Sequence, residues 1–115
     1  MLTLGQRQRL FTRLLPSLID FALEHGYELT LGDAYRDPRV HGAMGVKLGY
    51  GHENSNHKNR LAIDFNLFKD GMFLQDTNDH LPLGEFWESL DPLCRWGGRF
   101  KDGNHYSVES PEGMK

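Results

Sequence analysis

Only one cysteine occurs among the 115 residues, so no internal disulfide can brace the fold, and a cytosolic site of synthesis fits. Cys94 stands beside Leu93 and near Trp96, where a buried structural thiol is expected. Long hydrophobic runs are missing too. Arg7, Arg9 and Arg13 interrupt the N-terminal leucines and Pro16 and Asp20 follow them, which excludes the apolar core of a signal peptide. No stretch approaches a membrane span. Synthesis in the cytoplasm without a signal peptide is therefore expected, with no stable membrane association. A basic excess is also lacking: the formal net charge is −3, and no electrostatic footprint for a phosphate backbone is visible, so no nucleic-acid partner is expected. Repeats and low-complexity runs are absent.

What remains is the composition of a soluble globular protein, 38% hydrophobic, 25% charged and 11% aromatic. One domain over residues 1–115 is expected, with 110–115 a loose tail, and a monomer. Thr3 with Gln6 matches a capping box and starts a helix. Leu10, Leu14, Leu18 and Ala22, with Phe11, Leu15 and Ile19 beside them, give it one broad apolar stripe. Pro16 lies inside that stripe and predicts a kink near Thr12 or a break into two helices; Gly26 ends the helix. Tyr27, Leu29 and Leu31 alternate as a strand, interrupted before Ala34 to Arg36. From Asp37 to Asn56 the chain holds Pro38 and four glycines (Gly42, Gly45, Gly49, Gly51) and reads as a long irregular loop over a site.

From Leu61 the alternation is clear: Leu61, Ile63, Phe65 and Leu67 face one way, Ala62, Asp64, Asn66 and Phe68 the other. Asp70-Gly71 signals a hairpin with Met72 to Leu74 returning antiparallel. A second helix is expected over Leu83 to Leu93, with Phe86, Trp87, Leu90 and Leu93 buried, and Asp91-Pro92 shortening it. Trp96-Gly97-Gly98 turns the chain into a last strand or extended segment from Arg99 to Glu109. This order predicts an α+β domain with a small antiparallel sheet and flanking helices.

Two places combine histidine with a carboxylate. His57 sits at the entry to the strand that carries Asp64, and Asp102 precedes His105 by a short loop. Two imidazoles and one carboxylate fill three tetrahedral zinc positions and leave the fourth for water. A carboxylate nearby can take that water's proton, and Asp102 is so placed. The plainer readings stand beside this one. An acid in an apolar strand needs a partner, and for Asp64 a salt bridge with Arg36 or Arg60 would serve; His105 can be a packed, hydrogen-bonded histidine; His57 can be a solvated loop residue. His25 and His80 look structural or exposed, and His41 and His52 lie in the loop.

Ser55, His57, Ala62 and Asp64 spell Ser-x-His-x-x-x-x-Ala-x-Asp, which resembles the metal-binding motif of the M15 metallopeptidases, the D-alanyl-D-alanine carboxypeptidase and L-alanyl-D-glutamate endopeptidase group. Asp102 and His105 resemble the family's second motif, an acid three residues before the last zinc histidine. Trp96-Gly97-Gly98 resembles the stretch that precedes it, and Tyr35-Arg36 a third element. The resemblance implies a Hedgehog/DD-peptidase-like fold with Zn2+ held by His57, Asp64 and His105. It also implies Asp102 as general base, Arg36 assisting substrate binding, and Ser55 supporting the ligands from behind rather than acting as a nucleophile. The substrate implied is a peptidoglycan stem peptide. The Asp-Gly-x-His form resembles phage endolysins that cut the L-alanyl-D-glutamate bond, an enzyme released to the cell wall through a holin-type lesion or carried in the virion. Other readings are a D-Ala-D-Ala carboxypeptidase or dipeptidase and a non-catalytic metal-binding module. A metal-dependent nuclease is a further one, since His52-Glu53-Asn54 and Asn56-His57-Lys58-Asn59 superficially resemble nuclease motifs.

Overall fold

Thr3 opens the first helix, α1 (Leu4–Glu24), by the reciprocal bonds of a capping box. Its N–H donates to Gln6 Oε1 at 2.8 Å and its Oγ1 accepts from the Gln6 N–H at 3.2 Å. The helix runs unbroken through Pro16, so the expected division into two helices does not occur. Pro16 is exposed, so the carbonyl it frees can be met by solvent, while Leu10, Phe11, Leu18 and Ala22 are buried on both sides of it. Burial of the stripe outweighs the lost bond. Arg7, 5% exposed, donates from Nε to the Leu2 carbonyl and from Nη1 to the Glu109 carbonyl at 2.7 Å, tying the start of α1 to the far end of the chain.

The structure, a computed structural model, describes residues 1–32 and 59–111. Within them α1 leads to β1 (Tyr27–Leu31), and the chain returns as β2 (Ala62–Lys69) and β3 (Met72–Leu74). Asp70 and Gly71 take φ of 53° and 78°, the pair of positive values a tight hairpin turn requires. A short 3-10 helix (Thr77–His80) runs into α2 (Leu81–Leu90), followed by β4 (Cys94–Trp96), a 3-10 turn (Gly97–Phe100) and β5 (His105–Val108).

The second helix stops at Leu90, shortened at Asp91-Pro92 as expected, because Asp91, which precedes a proline, is extended at φ −163° and ψ 146°. The last segment differs: the expected strand or extended segment from Arg99 to Glu109 is a 3-10 turn, a loop and then β5, with β4 formed before Gly97.

The described strands form an antiparallel sheet in the order β1-β2-β5-β4, with β3 also on β2. β5 pairs with Ala62 to Asp64 and β3 with Leu67 to Lys69, so β2 changes partner at Phe65 and Asn66. One side of the sheet, carrying Ile63, Phe65, Leu67, Tyr106 and Val108, meets the helices in a common core with Leu18, Leu83, Trp87 and Trp96. Phe11 meets Trp87 edge-on at 5.9 Å. Each fully buried large side chain here contributes about 1.5–3 kcal/mol. Cys94 lies in this core, and burial, with Asp91 adding to it, pushes its thiol up to about 12, which makes it inert. Ser110, placed in the tail by sequence, is 1% exposed. Helices over one side of an antiparallel sheet make this an α+β fold. No described helix is long and apolar enough to cross a membrane.

Candidate active site

Strand alternation decides which side chains reach the site. Ile63 and Phe65 turn inward, so Asp64 points to the other side of β2; Tyr106, fully buried, sends its neighbour His105 the same way. Asp64 and His105 are direct partners in the β2–β5 register. Their side chains are 16% and 13% exposed, and His105 Nδ1 lies 3.4 Å from Asp64 Oδ1. That separation exceeds the roughly 2.7–2.9 Å of a charge-assisted hydrogen bond. The carboxylate and the imidazole converge on one place without closing on each other.

Asp102 belongs to the loop that enters β5, and its backbone is held from two sides. Its N–H donates to the Gly97 carbonyl at 2.9 Å, and its own carbonyl accepts from the His105 N–H at 3.2 Å. Trp96 Nε1 donates to the Gly103 carbonyl at 2.7 Å and the Gly103 N–H donates to Thr77 Oγ1 at 3.3 Å. The glycines of this loop follow from the close approach. A Cβ on Gly97 would strike the Asp102 carbonyl and stand 2.7 Å from His105 Cβ, and one on Gly103 would stand 2.6 Å from Thr77 Cα. Trp96-Gly97-Gly98 is thus the floor under the loop that carries Asp102. The Asp102 residue itself is exposed.

Of the residues picked out by sequence, Asp64 and His105 are brought together and Asp102 is bonded through its backbone to His105. His57, Ser55 and Arg36 lie outside the described residues, as do His41, His52 and the loop expected from Asp37 to Asn56. Among the described residues no group of three metal-binding side chains forms. The two ligand candidates that are described still suit zinc by type, a carboxylate and an imidazole side by side in a largely desolvated place.

A pocket of about 260 Å³ opens beside Asp102, where β2 changes partner. His80 lines it, 2% exposed, with Nδ1 2.7 Å from the Tyr106 hydroxyl. No local pattern marks Lys101, Thr77 or His80 as site residues, and for Thr77 and His80 the reason is that tertiary packing alone brings the 3-10 helix to the Asp102 loop. Burial lowers the His80 pKa from its ordinary 6.5, with Asp79 opposing. Burial also raises that of Tyr106, so the hydroxyl keeps its proton.

The His80 shift carries a stability prediction. An unfolded chain protonates this imidazole as pH falls through 6.5 while the folded chain resists, so the unfolded state binds more protons there. The contribution is present above 6.5 and lost as pH drops below it toward the lowered folded value. Thermal melts between about pH 7.5 and 5 should therefore fall more steeply for the wild type than for His80→Gln. Parallel curves would remove the argument.

An α+β fold whose sheet sets a carboxylate against an imidazole, with a second carboxylate in the adjoining loop, brings together side chains of the kind that hydrolytic enzymes use. The family comparison specifies which. A family model described as D-alanyl-D-alanine carboxypeptidase matches residues 49–108, a span holding both histidine-carboxylate motifs, and the chain belongs to this M15 peptidase family. It is a peptidase of a group that acts on peptidoglycan and generally depends on zinc. That membership displaces the nuclease alternative. No curated protein matches the chain.

Proposed function

We propose that the chain is a zinc-dependent peptidase hydrolysing a stem-peptide amide bond of peptidoglycan, specifically an L-alanyl-D-glutamate endopeptidase of a phage or prophage lysis system. His57, Asp64 and His105 are its metal ligands and Asp102 its general base. The observation that supports this most is the cross-strand pair of Asp64 and His105, 3.4 Å apart, next to the clamped Asp102 loop. Zinc held by His57, Asp64 and His105 would polarise the scissile carbonyl and acidify a water toward neutrality. Asp102 takes the proton from the attacking water and passes it to the leaving amine. As an aspartate its reach is short, which suits a carboxylate whose backbone is tied to both Gly97 and His105. Arg36 steadies the oxyanion or a substrate carboxylate, and Ser55 supports the ligand set. The enzyme acts as a monomer, made in the cytoplasm and released to the wall through a holin-type lesion or carried in the virion.

The printed family description favours a second reading, a D-Ala-D-Ala carboxypeptidase. Mass analysis of fragments from digested peptidoglycan separates the two. The endopeptidase should release stems that begin at D-glutamate and leave L-alanine on the glycan. Loss of a terminal D-alanine alone would establish the second reading, and intact stems would sink both.

A further inference from the structure

The pocket beside Asp102 exists because β3 and β5 share one edge of β2 and leave Phe65 and Asn66 between them. At about 260 Å³ it falls below the roughly 300 Å³ where pockets for drug-sized ligands begin, so it suits a single amino-acid residue and not a sugar pair. Its wall carries one charge of each sign. Lys101 and Asp102 are the charged residues lining it, and Asp102 is engaged as the base in the proposed reaction. Lys101 is exposed and caps the 3-10 turn in a left-handed conformation at φ 63°, with its N–H bonded back to Gly97 and Gly98, so its stem starts from a fixed point.

The neutral groups are mostly able to donate. Thr77 Oγ1 already accepts from Gly103, which leaves its O–H to give. Asn104 adds an amide. His80 has Nδ1 engaged by Tyr106, which leaves Nε2 for another partner, as a donor when the Tyr106 hydroxyl donates to Nδ1. Phe73 closes one side with a ring. With Asp102 assigned to the attacking water, Lys101 is the charge left for an occupant, and with these donors it suits a carboxylate better than the neutral amide.

We propose that this pocket is a subsite for a free carboxylate of the peptide substrate, with Lys101 as its counter-charge and His80 and Thr77 as hydrogen-bond donors. The site thereby prefers D-glutamyl residues whose α-carboxylate is free over those carrying an α-carboxamide. The inference rests on the reading of the neighbouring site as a stem-peptide hydrolase.

The test is calorimetric titration of the full, zinc-loaded chain with γ-D-glutamyl-L-lysine, which holds no bond to L-alanine, as the α-carboxylate and as the α-carboxamide. The wild type should bind the carboxylate about tenfold more tightly, the size of one charge-assisted hydrogen bond. Lys101→Met should erase the preference and Lys101→Arg should retain it. Equal binding of both forms by the wild type, no binding of either, or an undiminished preference in Lys101→Met would overturn the subsite. Peptidoglycan hydrolysis is read on the same preparations. An inactive wild type that still prefers the carboxylate would refute the hydrolase reading alone; an active one without preference would refute the subsite alone.

Discussion

Asp102→Asn should lower hydrolysis of purified peptidoglycan by about a thousandfold, within the range that a positioned acid-base group supplies, while bound zinc stays at the wild-type level. Asparagine keeps the size and the loop contacts of the side chain but cannot accept the proton. The loop should survive the change, because the bonds through the Asp102 N–H and carbonyl, the Trp96 indole and Thr77 are kept. Asp102 is also exposed, and asparagine fills the same space. A rate within a few-fold of wild type would remove Asp102 as the base, and loss of zinc together with activity would recast it as a ligand.

The second large effect concerns the ligands. Asp64→Ala and His105→Ala should each weaken zinc binding by more than a hundredfold and abolish hydrolysis. That loss lies above the 10–100-fold typical of a group that only orients a ligand, so the magnitude itself separates the roles. Neither change should unfold the chain. The pair faces away from the core, and the backbone bonds between β2 and β5 do not depend on these side chains. The stability readout is independent of turnover. A chelator should lower the melting temperature of the wild type, because zinc that binds only the folded chain stabilises it by mass action, and should leave Asp64→Ala unaffected. His57→Ala should behave as the other two do. A variant of the three that still holds zinc tightly would overturn its assignment as a ligand.

Much of the site was readable because strand alternation is a local rule. Asp64 in the middle of Ile63, Phe65 and Leu67 must point away from the core, and a carboxylate there asks for a partner whatever the fold. The partner was not readable in the same way. His105 meets it through the β2–β5 register, and a one-residue slip would send the imidazole to the opposite side of the sheet. Family motifs supplied the pairing that periodicity could not. Pro16 shows the reverse case, in which a sound local rule allowed a break into two helices and the burial of Leu10, Phe11, Leu18 and Ala22 keeps one. Trp96-Gly97-Gly98 was visible as a turn, but its purpose, a floor whose missing side chains admit the Asp102 carbonyl and His105, appears only in three dimensions.

The sequence by itself determined the capped apolar helix, the half-buried strand with its carboxylate, the hairpin at Asp70-Gly71 and, through two motifs in order, the family. Each depends on residues near one another in the chain, where side-chain period and turn chemistry act directly. Tertiary structure alone decided that β3 and β5 share one edge of β2, that Thr77 and His80 reach the Asp102 loop, and that a pocket with Lys101 on its wall opens there. Those contacts join segments distant in sequence, and they are set by the way the core closes rather than by any local preference.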